Sequence, residues 1–252
     1  MYKLLLSTFF MLFIIGKSLG QYPEQPPKEL LKKYRFYTHK FEPKSCWKYK
    51  YELKNGLVVK QQNYCRNKLT YLALFEYDKF DNVYREIEKY NADDGNVNKV
   101  SEIKLDYEDG LLIRKELDYG ITEKYSDFTE FGEPKLIERE DEHNIWPYKE
   151  TFEYDENGNV IKSTVYSTYN DLDDKIINEK ATTSYKYDNW NNVVEIHREF
   201  EPEQEFPIIM IGGPAKYEFE YFRYKYNDSG LWTKKYKTVN EKEYLIAKRK
   251  YK

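Results

Sequence analysis

Two cysteines, Cys46 and Cys65, are the residues in this 252-residue chain whose spacing points most directly to covalent chemistry. Counting outward from Asn55-Gly56 as a two-residue turn places them opposite each other on one hairpin. In an exported protein that arrangement predicts a disulfide, and closing a loop of roughly 20 residues contributes about 3 kcal/mol. Two free thiols or a two-cysteine metal site are the alternatives. The three histidines, His39, His143 and His197, have no histidine or cysteine at ligand spacing, so they read as surface or loop residues, and no metal or cofactor is expected. No serine lies in a nucleophile elbow and no glycine-rich loop could cradle phosphate. The 44 acidic residues are too many to single out a catalytic pair. The expectation is a non-enzymatic protein with no catalytic residues.

Two apolar connections are candidate binding elements, because binding residues concentrate in loops. The first runs from Phe206 to Pro214 and carries Ile208, Ile209, Met210 and Ile211. Soluble chains seldom expose such a run, so it reads as a plug for one end of a sheet, with an exposed contact patch as the alternative. The second is His143 to Pro147, where Trp146 is either a contact residue or the anchor of a simple turn.

The elements that must position these segments follow from a repeat. Stretches reading FEYDKFDNV, FEYDENGNV, YKYDNWNNV and YKYNDSGLW mark β-hairpins, with copies starting near Tyr49, Phe75, Leu105, Ser126, Phe152, Tyr185 and Tyr224. Four turns place Asp81, Gly158, Asn191 or Gly230 where a left-handed backbone closes a three-residue loop. Asn55-Gly56 and Asp109-Gly110 instead suit two-residue turns. Counting outward, the first rung pairs Leu53 with Val58, Tyr77 with Val83, Tyr107 with Leu112, Tyr154 with Val160, Tyr187 with Val193, and Tyr226 with Trp232.

The next rung on that face pairs Tyr51 with Lys60, Phe75 with Arg85, Leu105 with Arg114, Phe152 with Lys162, Tyr185 with Glu195, and Tyr224 with Lys234, so it is largely aromatic against basic. The opposite face sets Glu52 against Val59, Glu76 against Tyr84 and Glu153 against Ile161. With both faces mixed, the expectation is an all-β, antiparallel, up-and-down meander of about seven repeated hairpins and about fifteen strands, forming a curved or spiralling open sheet. Closure into a wide barrel is the alternative. The copy from Ser126 to Ile137 carries Pro134 at the valine position, which predicts a bend or bulge.

Residues 1–20 have the layout of a secretory signal: Lys3, an apolar run from Leu4 to Ile15, then small residues before Gln21. The run is shorter than the roughly 20 residues that span a bilayer, so the mature chain is expected to be unanchored. Residues 21–45 form a proline-rich lead-in and a short helix, with Leu30, Leu31, Tyr34 and Tyr37 at helical spacing between Lys28 and Phe41. Residues 46–252 form a single β domain. Lysine and arginine number 41 against 44 acidic residues, with signs mixed along the strands, which argues against a nucleic-acid partner. Asn227-Asp228-Ser229 matches a glycosylation sequon, which a bacterial origin would make only a turn.

The motif Tyr-Asp-x-x-Gly-Asn-Val, at Tyr154 to Val160, resembles the YD repeat of the Rhs family of bacterial surface and toxin proteins. The resemblance covers most of the chain after residue 20 and is strongest at 152–162. It implies a bacterial protein with a spiralling hairpin sheet, secreted, periplasmic or on the outer cell surface. Two functional expectations follow. One is a scaffold binding a protein or glycan through its tyrosine-rich face. The other is a half-barrel carrying a hydrophobic ligand, with Ile208 to Ile211 in its pocket. A purely structural role is close to the first.

Overall fold

The computed structural model describes residues 26–41, 45–90, 99–140, 148–170, 176–208 and 215–252, so the expected signal segment, His143, Trp146, Ile209, Met210 and Ile211 lie outside the described residues. After a short helix, α1 (Lys28–Leu31), the strands are β1 (Phe36–Phe41), β2 (Trp47–Lys54), β3 (Leu57–Cys65), β4 (Lys68–Tyr77), β5 (Val83–Tyr90), β6 (Lys99–Glu102), β7 (Lys104–Glu108), β8 (Leu111–Glu116), β9 (Thr122–Phe128), β10 (Pro134–Glu140), β11 (Tyr148–Tyr154), β12 (Val160–Asn170), β13 (Ile176–Tyr187), β14 (Val193–Glu201), β15 (Phe219–Tyr226), β16 (Trp232–Val239) and β17 (Lys242–Tyr251). All belong to one antiparallel meander of 17 strands.

The sheet is nearly closed into a barrel, not open. The closing element is β1, which pairs with β2 on one side and β17 on the other, so the first and last strands of the meander meet through it. The expected helix over Lys28 to Phe41 is therefore only its first turn. The reason is the residues after Tyr34: Tyr37 and His39 are buried while Thr38 and Lys40 are not, a period of two. Among the described residues, the circuit of paired strands changes hands at Ile103, where β6 pairs with β5 and β7 pairs with β8. Ile103 bridges the step by donating its N–H to the Tyr84 carbonyl at 2.8 Å.

All six expected first rungs are present, from Leu53–Val58 to Tyr226–Trp232. Beyond them the register moves by one residue in each of these hairpins. Each shift is a bulge that takes up Val59, Tyr84, Ile113, Ile161, Val194 or Thr233. The aromatic-against-basic rung is thereby overturned: Phe75 faces Glu86, Phe152 faces Ser163, and Tyr185 faces Ile196. The basic residues move to the other face and meet acids, as in Glu76–Arg85, Asp106–Arg114 and Glu153–Lys162. That separation of faces removes the basis for an open sheet. One face can now be buried inside a barrel while the other stays charged and wet.

The copies are not equal. The hairpin of β9 and β10 shows no register shift: Pro134 lies opposite Phe128 and Ile137 opposite Tyr125. The irregularity expected at Pro134 instead takes the form of left-handed Asp127, with φ 53°.

Candidate functional site

The recurring geometry of one rim comes from the acid or amide that follows Tyr77, Tyr154, Tyr187 and Tyr226. Asp78 Oδ1 accepts from the N–H groups of Phe80 and Asn82 at 2.9 Å each. Asp155, Asp188 and Asn227 do the same in their turns, and the Thr129 hydroxyl takes that place in the hairpin of β9 and β10. The bonds hold the turn so that Asp81, Gly158, Asn191 and Gly230 adopt the expected positive φ. At Gly230 a side chain is also excluded, because an added Cβ would lie 2.3 Å from the Trp190 ring of the preceding turn.

Tyrosines then latch each turn to its neighbour. Tyr77, Tyr154 and Tyr187 donate their hydroxyls to the carbonyls of Val58, Pro134 and Val160 at 2.6–2.7 Å. Tyr107 and Tyr226 reach back to the carboxylates of Asp78 and Asp188. Helix α1 completes the rim: Lys28 pairs with Asp81, and Leu31 packs with Leu53, Val58 and Leu231. These tyrosines have structural work, and burial pushes the hydroxyl pKa of Tyr77, Tyr154 and Tyr187 upward, so they remain neutral donors.

Away from this rim the inner wall becomes charged. Glu123 is 2% exposed and accepts from Tyr125 at 2.6 Å and from Arg139 at 3.1 Å, with Lys115 at 3.9 Å. Burial opposes its ionisation, but Lys115 and Arg139 outweigh that and hold its pKa below the usual carboxylate range. Two nearby carboxylates behave oppositely. Burial, with help from Glu88, raises Glu86 to about 7, and burial against the pull of Arg139 raises Glu150 to about 7. On the far side Glu220 is shared by Arg198 at 2.9 Å and by Lys237. Beyond it Arg249 donates to His39 Nδ1 at 3.2 Å and lies 3.8 Å from the Trp232 ring centroid. His39 is thus a buried wall residue at 5% exposure, not a surface histidine.

The outer wall carries a ladder of exposed rings across β14 and β15. His197 stacks on Phe219 with centroids 4.2 Å apart and planes within 6°, and Phe219 continues to Tyr221 at 6.4 Å, again within 6°. Phe219 and Tyr221 are 43% and 45% exposed. Polar groups flank the rings: Glu218 is 3.9 Å from His197 Nε2, and Lys186 pairs with Glu195 at 2.8 Å. Sequence reasoning missed this site, since its rings lie on two strands outside the repeat motif and meet only through register. The alternation Phe219-x-Tyr221 was the available signal.

Of the segments singled out from sequence, Phe206 is half-buried and 5.9 Å from the Phe200 ring, and Ile208 forms an isolated bridge with Lys216. Their distance from Trp146 is not defined, as Trp146 lies outside the described residues. Cys46 and Cys65 are joined by a disulfide with Cα atoms 4.7 Å apart. They are not directly opposite: the bulge moves Cys65 into register with Trp47, so the bond crosses the hairpin diagonally. Among the described residues no group of three or more histidine, cysteine or acidic side chains is placed to hold a metal, and no helix is long and apolar enough to cross a membrane.

No protein-family model matches the chain, and no characterised protein matches it in sequence. Among solved structures it is similar to a porin-like protein from Bacteroides vulgatus ATCC 8482, at 10% identity over 87% of this chain and 98% of the other, with a TM-score of 0.47. It is also similar to a chain in the crystal structure of TcdB2-TccC3-Cdc42, at 16% identity over 80% of this chain and 10% of that one, TM-score 0.34. A chain of the Photorhabdus luminescens Tc holotoxin pore aligns at 14% identity over 81% of this chain and 12% of its own, TM-score 0.34. The chain thus spans only a small part of the toxin chains. At TM-scores this low the likenesses establish neither a shared fold nor a shared activity.

Proposed function

We propose that the protein is an exported, non-enzymatic bacterial scaffold that binds glycan through the exposed rings of its outer wall. The observation that carries this reading is the coplanar set His197, Phe219 and Tyr221. Flat, exposed rings in register offer apolar faces to sugar rings, while flanking carboxylate and ammonium groups offer hydrogen bonds to hydroxyls. The signal-like N-terminus and the resemblance of the Tyr-Asp turns to Rhs-type repeats support an extracytoplasmic bacterial setting. A purely structural role leaves these rings without a reason to be exposed.

A carrier of hydrophobic ligand fits less well. Beyond the apolar tier at the turn rim, the inner wall presents Glu123, Arg139, Arg198, Glu220 and Lys235, and an apolar cargo would have to displace or desolvate those charges.

The test is binding of the purified chain to an array of bacterial glycans, with Phe219→Ser/Tyr221→Ser as the comparison. Both side chains are exposed, so the variant should melt within about 1 kcal/mol of the parent. Loss of glycan signals in a folded variant supports the reading. A parent that binds no glycan, or a variant that binds equally well, removes it.

A further inference from the structure

At two places on the turn rim, a ring at the same loop position packs one hairpin against the next. Two residues after Asp78, Phe80 lies with its ring centroid 4.6 Å from that of Tyr107. Two residues after Asp188, Trp190 lies 5.7 Å from Tyr226 and covers Gly230. The corresponding residue after Asp155 is Asn157, which carries no ring. Between that turn and the one from Asp188 lies a cavity of about 590 Å³.

Its walls are polar. Asp155 and Asn157 line one side and Asp188 and Asn189 the other, with Lys186 on the adjoining outer wall. Ile161, 37% exposed, gives it an apolar surface. Burial opposes the ionisation of Asp155, but the Asn159 amide and the N–H groups of Asn159 and Asn157 outweigh it and hold its pKa below the usual carboxylate range. The ammonium of Lys186 is taken up by Glu195 at 2.8 Å. The charge facing the cavity is therefore negative, and a cleft of one sign repels ligands of the same sign.

The cleft is also in line with the ring ladder. Lys186 lies opposite Glu195, and Glu195 lies opposite Tyr221, the end ring of the ladder. Two strand steps of about 4.8 Å separate Tyr221 from Lys186, so the ladder and the cleft mouth are about 10 Å apart. The paired charges of Lys186 and Glu195 make the wall between them neutral overall.

We propose that the cleft between the Asp155 and Asp188 turns is a second subsite, which together with the ring ladder holds one oligosaccharide chain free of acidic groups. The inference rests on the ladder being a glycan site. Asparagine amides both donate and accept, and carboxylates accept, so the cleft matches the hydroxyls of a sugar. The ladder supplies what the cleft has little of, flat rings for the apolar faces of the chain. A single sugar ring cannot reach both places, so the ligand is a chain. An acidic sugar would set its carboxylate beside those of Asp155 and Asp188.

Calorimetry of the full chain with manno- and chito-oligosaccharides of two and six units, and with hexagalacturonate as the acidic counterpart, tests this. In at least one neutral series the six-unit chain should bind about tenfold or more tightly than the two-unit chain. Asn157→Trp gives this turn the residue that Trp190 already provides at the same loop position, so the fold should be kept, as a thermal melt checks. It should abolish the six-unit advantage and leave two-unit binding within about twofold. Asn189→Ala removes an exposed amide from the opposite side without filling the cleft, and should weaken the six-unit chain alone by about threefold or more. The proposal is overturned if six units bind no more tightly than two, if both cleft variants bind the six-unit chain like the parent, or if hexagalacturonate binds more tightly than the neutral chains. Failure of the ladder reading shows differently. In that case Phe219→Ser/Tyr221→Ser binds both lengths like the parent, or no oligosaccharide binds the parent, and the cleft proposal falls with it.

Discussion

Two arcs of the same barrel handle their charges differently. From β4 to β14 cations are balanced by carboxylates: Arg85 by Glu76 at 3.1 Å, Lys162 by Glu153 at 2.8 Å and Lys180 by Glu201 at 2.7 Å outside, and Arg139 with Lys115 by Glu123 inside. From β15 through β17 to β2 several cations lie over rings, Lys235 over Phe222 at 4.2 Å, Arg249 over Trp232 at 3.8 Å and Lys50 over Phe36 at 5.2 Å, while Arg223, 4.4 Å from the Tyr236 ring, also pairs with Glu243, and Lys237 pairs with Glu220. Carboxylate balance depends on pH and collapses if one partner is deleted. A ring quadrupole has no proton to lose and leaves the positive charge in place.

The sharpest way to break this contrast is to remove the hub of the first arc. Glu123→Ala leaves Lys115 and Arg139 buried beside each other without their carboxylate, and should cost about 3–5 kcal/mol in chemical denaturation. If it costs under about 1 kcal/mol, the first arc does not rest on carboxylate balance.

The pH response comes next. Glu86 faces Glu88, Lys99, Tyr71 and Lys115, and Glu150 faces Arg139, Ser163 and Glu123. Both are raised to about 7, while unfolded glutamate titrates near about 4.3. Between those values the folded protein keeps protons that the unfolded chain has released, so stability should fall as pH rises through the window and level off above about 7. The loss is about 3–4 kcal/mol per carboxylate. Glu86→Gln/Glu150→Gln should flatten the curve between pH 5 and pH 8; a parent whose stability rises across that range would reverse the assignment. In the second arc, Trp232→Leu keeps an apolar side chain but takes the ring from Arg249, and should cost about 2 kcal/mol in chemical denaturation. A loss under about 0.5 kcal/mol would mean that the ring does not steady Arg249.

Much of this architecture was legible in the sequence because it is local. The Tyr-Asp turns, the left-handed positions and the first rungs follow from four or five consecutive residues, and they stand as read. What failed was one step further out. A single bulge residue in each hairpin exchanges the faces of everything beyond it, so Lys60, Arg85 and Lys162 moved from beside rings to beside acids. Closure was hidden for a related reason: Leu30, Leu31, Tyr34 and Tyr37 satisfy helical spacing, yet the segment from Phe36 is a strand held by β2 on one side and, on the other, by β17 more than two hundred residues away. The ring ladder is a property of the register between β14 and β15 across a long connection, which no local motif encodes.

The smallest effect bears most directly on the second arc, because its sign differs from that of nearly any other surface change. Lys234 stands between Lys225 and Lys248. Replacing it by glutamate turns two like-charge pairs into two opposite-charge pairs, each worth roughly 0.2–1 kcal/mol. Lys234→Glu should therefore stabilise the barrel by about 0.5 kcal/mol or more at low salt, and the gain should shrink at high salt as screening sets in. Lys162→Glu, which faces Glu153, is the matched reversal in the first arc and should destabilise by a similar amount. Opposite signs from the same substitution would show that the two walls carry their charge on different terms. If both variants are destabilised alike, Lys225, Lys234 and Lys248 are already balanced within the protein, and the arcs differ in composition but not in electrostatics.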